Sequence, residues 1–239
     1  MAEKSISKTT VKRLISDIKE VQVCDLSKDN IYYKHDETNM FIGYALIIGP
    51  EHTPYQFGNF LFKFKFPEDY PHSPPTVTYH TNDGYTRFHP NLYKNSKVCL
   101  SLLNTWKGEQ WTGCQTIKSI LLVLCSILDK NPLIHEPGIF ETHKDIPFYN
   151  KIITYKTIDT AITKILSKDN LPEEFEIFMN IIIENFINNY HNIKNNLKNK
   201  ENEIISTGVY SLSIKTHYKQ LINLLDCNYN KYNIIKKLD

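Results

Sequence analysis

The stretch that decides the predicted fold lies near the middle of the chain and reads Phe88-His89-Pro90-Asn91-Leu92-Tyr93-Lys94-Asn95-Ser96-Lys97-Val98-Cys99-Leu100-Ser101. It offers a thiol, on Cys99, and a side-chain amide, on Asn91, within a short loop. No His stands beside Cys99 to act as its base, and no second Cys is near enough to share a metal ion. Free Cys is already a few per cent thiolate near pH 7, so thiol exchange needs little proton abstraction. The stretch therefore favours a thiol that accepts an acyl group from a thioester and passes it on.

The flanks of this stretch carry an ordered pattern of their own. Before it come Phe66-Pro67-Glu68-Asp69-Tyr70-Pro71 and Ser73-Pro74-Pro75, and after it comes Trp111. In this setting, His-Pro-Asn with a Cys eight residues after the Asn resembles the active site of the ubiquitin-conjugating enzymes. The resemblance covers roughly residues 1–138. The other interpretation, a buried Cys in a Pro-rich loop protein, predicts none of the flanking order.

Hydrophobic periodicity predicts an α+β fold. Residues 5–21 read as an amphipathic helix, capped by Ser7 or Thr9. Strands are predicted at 31–33, 40–48, 60–66 and 76–80, and their short connections favour an antiparallel meander. In the third strand Phe and Lys or Leu alternate, which predicts a buried Phe face and an exposed Lys face. A helix begins near Thr112 and ends at Asn131-Pro132, with a buried stripe: Ile117, Ile120, Leu121, Leu124 and Leu128.

The pattern changes after Gly138, where helices follow one another without intervening strands. We predict helices at 148–166 and 173–190, then a polar run at 192–203 that acts as a linker or a frayed helix end, then a last helix around residues 218–225. The chain thus divides into a ubiquitin-conjugating core at 1–148 and a C-terminal helical extension at 149–239. We expect the extension to serve partner choice and not chemistry.

Details of the sequence resemble one branch of the family, the large enzymes with C-terminal helical extensions. These details are the segment 99–106 with its second Trp at 111, and His135-Glu136-Pro137-Gly138. One member of that branch works with an alternative activating enzyme, and others carry ligase activity in the same polypeptide. His72 and Gly113 stand where short members place their ligase-binding residues, which argues against binding of the common RING ligases. The acidic residue that gates the site in the family is absent near His135.

The resemblance implies a role for each candidate residue. Cys99 would be the nucleophile that carries ubiquitin or a ubiquitin-like protein as a thioester. Asn91 could donate a hydrogen bond to the oxyanion or could brace the loop, and both roles are open. His89 is expected to be structural, with its ring bonded within the loop. His135 could orient the acceptor lysine or could be an ordinary surface side chain.

Basic residues on the first helix have two interpretations. By resemblance, Lys12 and Arg13 dock the activating enzyme, whereas from the sequence alone they form a solvated face. The expected partners are ubiquitin or a ubiquitin-like protein, the activating enzyme, protein substrates and, in some settings, a ligase. No cofactor or metal is expected, because ATP is used by the activating enzyme.

Composition sets the remaining expectations. The chain has 239 residues, 41% hydrophobic and 23% charged, with a formal net charge of +2, which gives no reason to invoke nucleic acid or a membrane surface. No apolar run is long enough to span a bilayer, and the first residues do not read as a signal peptide. Five Cys without paired spacing favour a reducing compartment, so the cytoplasm or nucleus is expected. Abundant Asn, Ile and Lys suggest an AT-rich genome, such as that of a protist or a large virus acting in host cytoplasm.

Two rival functions come from other classes. A non-catalytic variant of the family would bind ubiquitin without carrying it, but such variants lack the Cys. A cysteine protease acting on ubiquitin conjugates would need a His base and an orienting Asn or Asp, for which there is no local signature. The conjugating reaction is therefore the main hypothesis.

Overall fold

The computed structural model describes residues 7–169 and 171–235 and confirms the predicted α+β class. Its helices and strands are, in chain order, α1 (Lys8–Val23), β1 (Ile31–His35), β2 (Ile42–Ile48), β3 (Asn59–Lys65), β4 (Thr76–Tyr79), α2 (Ile117–Ser126), α3 (Ile146–Lys156), α4 (Met179–Leu197), β5 (Ile204–Ser206), β6 (Ser213–Lys215) and α5 (Tyr218–Ile235). A π-helical stretch extends α3 over Thr157–Lys164. 3-10 helices lie at Leu26–Asp29, Ser101–Leu103, Pro132–His135, Glu173–Phe178 and Val209–Ser211.

Helix α1 begins where its sequence supplies a cap. The Ser7 hydroxyl accepts a hydrogen bond from the Thr10 N–H at 3.0 Å, which satisfies one of the free donors of the first turn. Leu14 on the inner face is fully buried, while Ile15 is partly exposed. The predicted start at residue 5 lies outside the described part of the chain.

The four-stranded sheet is the predicted antiparallel meander, with strand order β1-β2-β3-β4. Ala45 of β2 lies opposite Phe62 of β3, and Phe64 lies opposite Val77 of β4. Each strand falls within two residues of its predicted limits. Short connections place successive strands side by side, as the sequence pattern indicates.

The two faces of β3 differ from the prediction in one respect. Phe60, Phe62 and Phe64 are fully buried, as predicted, but Leu61 on the opposite face is buried too. Lys63 on that second face is only one-third exposed and pairs with Glu174 at 3.1 Å. The predicted exposed Lys face is therefore wrong at Lys63, because the C-terminal extension covers this side of the sheet.

The buried stripe that the spacing predicts is present, with all five members fully buried, although α2 ends at Ser126 and Leu128 lies just beyond it, short of the predicted end at Asn131-Pro132. Helix α2 begins at Ile117 and not near Thr112, because Thr116 forms a capping box with Ser119. Cys125 is half-buried beside the stripe, and burial raises the pKa of its thiol. That thiol is a poor nucleophile at neutral pH.

The extension is held on the core by hydrogen bonds as well as by packing. The Asn59 amide donates to the Ala161 carbonyl at 2.9 Å, and the Asn185 amide donates to the Phe57 carbonyl at 3.1 Å. Phe175 is fully buried, with its ring edge-on to Tyr44 of β2. The boundary predicted after residue 148 falls inside the first turn of α3.

A hairpin in the extension is missing from the predicted elements. Strands β5 and β6 pair antiparallel, with Ile205 opposite Ile214. The run at 192–203 is predicted as a linker or a frayed helix end. The linker prediction is wrong up to Leu197, because Ile193 and Leu197 are buried and α4 continues to Leu197. Among the described helices, none combines the length and apolar character needed to cross a bilayer.

Candidate active site

The loop from His-Pro-Asn to the Cys is closed by two bonds between its ends. The Cys99 N–H donates to the Asn91 carbonyl at 2.9 Å, and the Asn91 side-chain amide donates to the Cys99 carbonyl at 2.5 Å. Leu92 and Val98 add a bridge inside the loop. Cys99 is 2% exposed and Asn91 is 8% exposed. The structure therefore places the candidate nucleophile and the candidate amide side by side.

The buried side chain of His89 braces this loop through a hydrogen bond to the backbone of Asn91. Its ring is fully buried, and its Nδ1 accepts a hydrogen bond from the Asn91 N–H at 3.0 Å. Burial, with a further contribution from His135 and Arg87, lowers the pKa of His89 well below its ordinary value. A neutral imidazole can accept a hydrogen bond through Nδ1, and this is consistent with a role in bracing the loop.

His135 comes from the 3-10 helix after α2 and lies beside the same loop. Its ring centre is 5.0 Å from that of His89, and its Nε2 lies 2.6 Å from the Asp129 carboxylate. Both side chains of the His135–Asp129 pair are about one-third exposed. The sequence predicts that the acidic residue that gates the site in the family is absent near His135. It does not identify Asp129 as the partner of His135.

The segment after Cys99 packs back on it. The Thr105 hydroxyl accepts from the Leu100 N–H at 2.9 Å and donates to the Val98 carbonyl at 3.1 Å. The Trp111 indole donates to the Pro71 carbonyl at 2.7 Å and so joins this segment to the Pro-rich loop. The Trp and Pro-rich flanks of the motif thus meet in space, about forty residues apart in sequence.

Two tyrosine hydroxyls anchor the segment before the loop. Tyr55 donates to the Phe88 carbonyl at 2.6 Å, and Tyr149 donates to the Arg87 carbonyl at 2.6 Å. Both rings are fully buried. Tyr149 belongs to α3, so the extension reaches the candidate site directly, which the predicted division of labour does not include.

Comparison with known proteins identifies the family. The sequence profile of the family described as ubiquitin-conjugating enzyme matches residues 13–147, which is more than half of the chain. The chain belongs to the ubiquitin-conjugating enzyme family. The matched range contains the whole loop from His89 to Cys99 and ends at the start of the extension.

Individual relatives agree with this assignment. Ubiquitin-conjugating enzyme E2 Z from Xenopus tropicalis is 44% identical over 136 residues, covering 55% of this chain and 42% of the relative. The human protein named dual E2 ubiquitin-conjugating enzyme/E3 ubiquitin-protein ligase BIRC6 is 45% identical over 129 residues, or 51% of this chain and 3% of that protein. The match thus covers less than half the length of either relative.

A solved structure supports the fold of this family member. The E2 domain of a Toxoplasma gondii ubiquitin-conjugating enzyme superimposes with a TM-score of 0.50 and 25% identity. The superposition covers 63% of this chain and 98% of that domain. The ubiquitin-conjugating fold is therefore present, with the extension added to it.

Arg13 of this family member does not lie on a free basic face. Its guanidinium donates to Asp17 at 2.8 Å, to the Gly113 carbonyl at 2.5 Å and to the Gln115 carbonyl at 2.6 Å. The expectation of an exposed charge is wrong for Arg13, because the residue clamps α1 to the loop before α2. Lys12 is exposed, as that expectation requires.

The two candidate ligase-binding loops lie next to this clamp. Gly113 is exposed and close to the Pro71 carbonyl, and His72 is exposed in the neighbouring Pro-rich loop. The candidate residues therefore form two groups. His89, Asn91, Cys99 and His135 lie on or beside the loop that carries the thiol. Arg13, Gly113 and the His72 loop lie together beside the first half of α1. No cluster of three or more His, Cys, Asp or Glu suited to a metal is present in the described ranges.

Proposed function

We propose that this chain is a ubiquitin-conjugating enzyme that carries ubiquitin or a ubiquitin-like protein as a thioester on Cys99 and transfers it to an acceptor lysine. The observation that carries the proposal is the closed loop in which Asn91 and Cys99 bond to each other's backbone. It lies within the range that matches the family. Because that match covers less than half of the relatives' length, the activity of the whole protein stays a proposal.

The first step is thiol exchange. The Cys99 thiolate attacks the carbonyl carbon of the thioester on the activating enzyme. A new carbon–sulfur bond to Cys99 forms and the carbon–sulfur bond to the activating enzyme breaks. The sulfur of the activating enzyme leaves as a thiolate, which takes up the proton that Cys99 has lost. The reaction is nearly symmetric and needs no strong base. ATP is consumed by the activating enzyme, so we propose no nucleotide or metal site here.

The second step is attack by an acceptor amine. A free lysine has a pKa of about 10.4, so its amine must lose a proton before it can attack the thioester. Attack forms a carbon–nitrogen bond and an oxyanion, which a side-chain amide can stabilise. The oxyanion then collapses, the carbon–sulfur bond to Cys99 breaks, and the Cys99 thiolate leaves and takes up the proton lost by the amine. The Asn91 amide has two N–H groups, and only one is needed for its bond to the Cys99 carbonyl. The two proposed roles of Asn91, brace and donor, are therefore compatible.

We propose that His135 orients the acceptor amine. Its bond to Asp129 fixes the imidazole beside the loop, and its partial exposure leaves it accessible to a substrate. With Nε2 bonded to the Asp129 carboxylate, Nδ1 is the ring nitrogen that can contact the amine. Asp129 therefore supplies a carboxylate near the site, at a different position from the acidic residue that gates the site in the family.

Partner contacts are proposed on the second group of residues. Exposed Lys12 is the candidate contact for the activating enzyme, and the loops of His72 and Gly113 are the candidate contacts for a ligase. One relative is named as a dual E2 and E3 enzyme, which supports built-in ligase character as a second option. All five cysteines are free, which supports a cytoplasmic or nuclear setting.

The test is incubation of the full chain with activating enzyme, ATP and ubiquitin. A reductant-sensitive adduct supports the proposal, and two different activating enzymes should be used in parallel. Binding of ubiquitin without an adduct would favour the non-catalytic variant. Cleavage of preformed ubiquitin conjugates would favour the protease.

A further inference from the structure

The β5–β6 hairpin of the extension is fixed against the candidate active site at two points. The Tyr85 hydroxyl bonds both the carbonyl and the N–H of Ser213 at 3.0 Å. The Asp145 carboxylate accepts from the Val209 N–H at 2.8 Å. These bonds hold the hairpin loop over the segment that precedes His-Pro-Asn.

Tyr210 at the tip of this hairpin has a strained backbone. Its φ is +62° and that of Ser211 is +49°, in the left-handed region that bulky residues rarely adopt. Such a conformation persists only when the surroundings impose it, and it is common at functional sites. The contacts of the Tyr210 side chain show what imposes it.

The ring of Tyr210 forms one wall of a sandwich around Arg87. The Arg87 guanidinium carbon lies 4.6 Å from the Tyr210 ring centre and 3.7 Å from the Tyr93 ring centre. Held between the two rings, the guanidinium donates to the Pro90 carbonyl. Pro90 directly precedes Asn91, so the orientation of Arg87 bears on the amide beside Cys99.

The hydroxyl of Tyr210 contacts the segment that carries His135. It donates to the carboxylate of Glu136, the residue after His135. The His135 ring in turn lies against His89. One side chain from the extension therefore joins the loop that carries Asn91 to the segment that carries His135.

We propose that Tyr210 is a positioning residue of the conjugation reaction: acting through Arg87 and Glu136, it sets the Asn91 loop and His135 in the geometry that delivers an amine to the Cys99 thioester. The proposal deepens the proposed function and rests on it. It extends the role of the extension beyond partner choice, because these contacts involve no other protein.

The test is single-turnover discharge of preformed thioester to free lysine, which needs no ligase or protein substrate. Tyr210→Ala should lower the maximal discharge rate by about 10- to 100-fold, the scale expected when reacting groups are misplaced by about 1 Å. Charging by the activating enzyme should change less than discharge. Tyr210→Phe keeps the ring on Arg87 and should retain more of the rate than Tyr210→Ala.

A matched control separates positioning from general stability. Tyr229 stacks on Tyr190 with ring centres 3.9 Å apart, within the same extension but in contact with α4 and not with the active-site segment. Tyr229→Ala should therefore discharge at the rate of the unaltered chain, with each variant assayed well below its own melting temperature. Equal slowing in Tyr229→Ala and Tyr210→Ala would overturn the proposal.

A double-variant cycle tests the route through Arg87. Arg87→Lys keeps the charge but loses the flat surface that stacks between the rings. If Tyr210 acts partly through Arg87, the loss of rate in the double variant should be smaller than the product of the two single losses. A loss equal to that product would contradict this route. If the unaltered chain forms no thioester, the proposed function fails. If it charges and discharges but Tyr210→Ala matches it, only the role of Tyr210 fails.

Discussion

The active-site loop and the β5–β6 hairpin lie in the same region of the molecule but arise from different kinds of contact. The loop is closed by bonds between Asn91 and Cys99, which are eight residues apart. The hairpin is placed by bonds such as Tyr85 to Ser213, which are 128 residues apart. The difference teaches that the chemistry of the site is local, whereas the setting of that chemistry depends on distant parts of the chain.

Removal of the chain after residue 166 should break this comparison most severely. Leu61 shares a face of the sheet with Asn59 and Lys63, which contact Asn185 and Glu174 of the removed segment. Burying one Leu stabilises a protein by about 1.5–3 kcal/mol, and a whole domain is stable by only about 5–15 kcal/mol. We expect the shortened chain to unfold at a clearly lower temperature than the full chain. A shortened chain that unfolds at the same temperature and charges normally would show that the extension serves partner choice alone.

Asn91→Ala should have the next largest effect. If the amide stabilises the oxyanion, discharge to free lysine should fall about 10²- to 10³-fold, or about 3–4 kcal/mol in activation free energy. Charging should fall much less, because the loss affects the transition state of the second step. Single-turnover charging and discharge measure both steps. Equal losses in the two steps, with a lowered melting temperature, would indicate that Asn91 only braces the loop.

Arg13→Glu and Lys12→Glu form a matched pair on α1. Arg13 is 22% exposed and its partner Asp17 is 4% exposed, so the substitution leaves a buried carboxylate facing a new negative charge. We expect a loss of about 2–3 kcal/mol in unfolding free energy, below the range for a fully buried pair. Lys12→Glu should change stability by less than about 0.5 kcal/mol.

Denaturant unfolding measures the stabilities, and charging at low salt measures contact with the activating enzyme. Slower charging in Lys12→Glu, at unchanged stability, is the expected sign of docking through Lys12. Charging at the normal rate would show that Lys12 belongs to a solvated face. Equal stability of the two variants would contradict the clamp role of Arg13.

The reactivity of the cysteines should give the smallest difference. Cys114 and Cys227 are exposed, while Cys99 is buried within its loop. Reagents reach a thiol only when it is accessible, so Cys99 should be alkylated about tenfold more slowly than the two exposed cysteines. Peptide mapping after timed exposure to iodoacetamide gives the three rates. A Cys99 that reacts as fast as Cys114 would show that the loop is open at rest.

The sequence predicts those features that depend on short-range patterns. Periodicity places α1, the four strands and the stripe of α2, and the motif places Asn91 near Cys99. It does not predict the acceptors of Arg13, because the carbonyls of Gly113 and Gln115 are a hundred residues away. Helical spacing reports which side of α1 is apolar, but not which loop covers the other side.

The hairpin shows the same limit. The alternating residues around Ile205 and Ile214, with Gly208 between them, are a strand-turn-strand signal that was available. Its strands are only three residues long, too short to stand out in a polar stretch. Lys63 looks solvent-exposed by its period, and only the packing of Glu174 against it shows otherwise.

Mapping of the ubiquitin adduct tests the central claim most directly. The full chain, Cys99→Ser and Cys99→Ala should each be incubated with activating enzyme, ATP and ubiquitin, and the adduct located by peptide mass spectrometry. We predict a reductant-sensitive adduct at Cys99, a reductant-resistant ester at the same position in Cys99→Ser, and no adduct in Cys99→Ala. A normal, reductant-sensitive adduct in Cys99→Ala would contradict the account and move the nucleophile to another cysteine, such as Cys114.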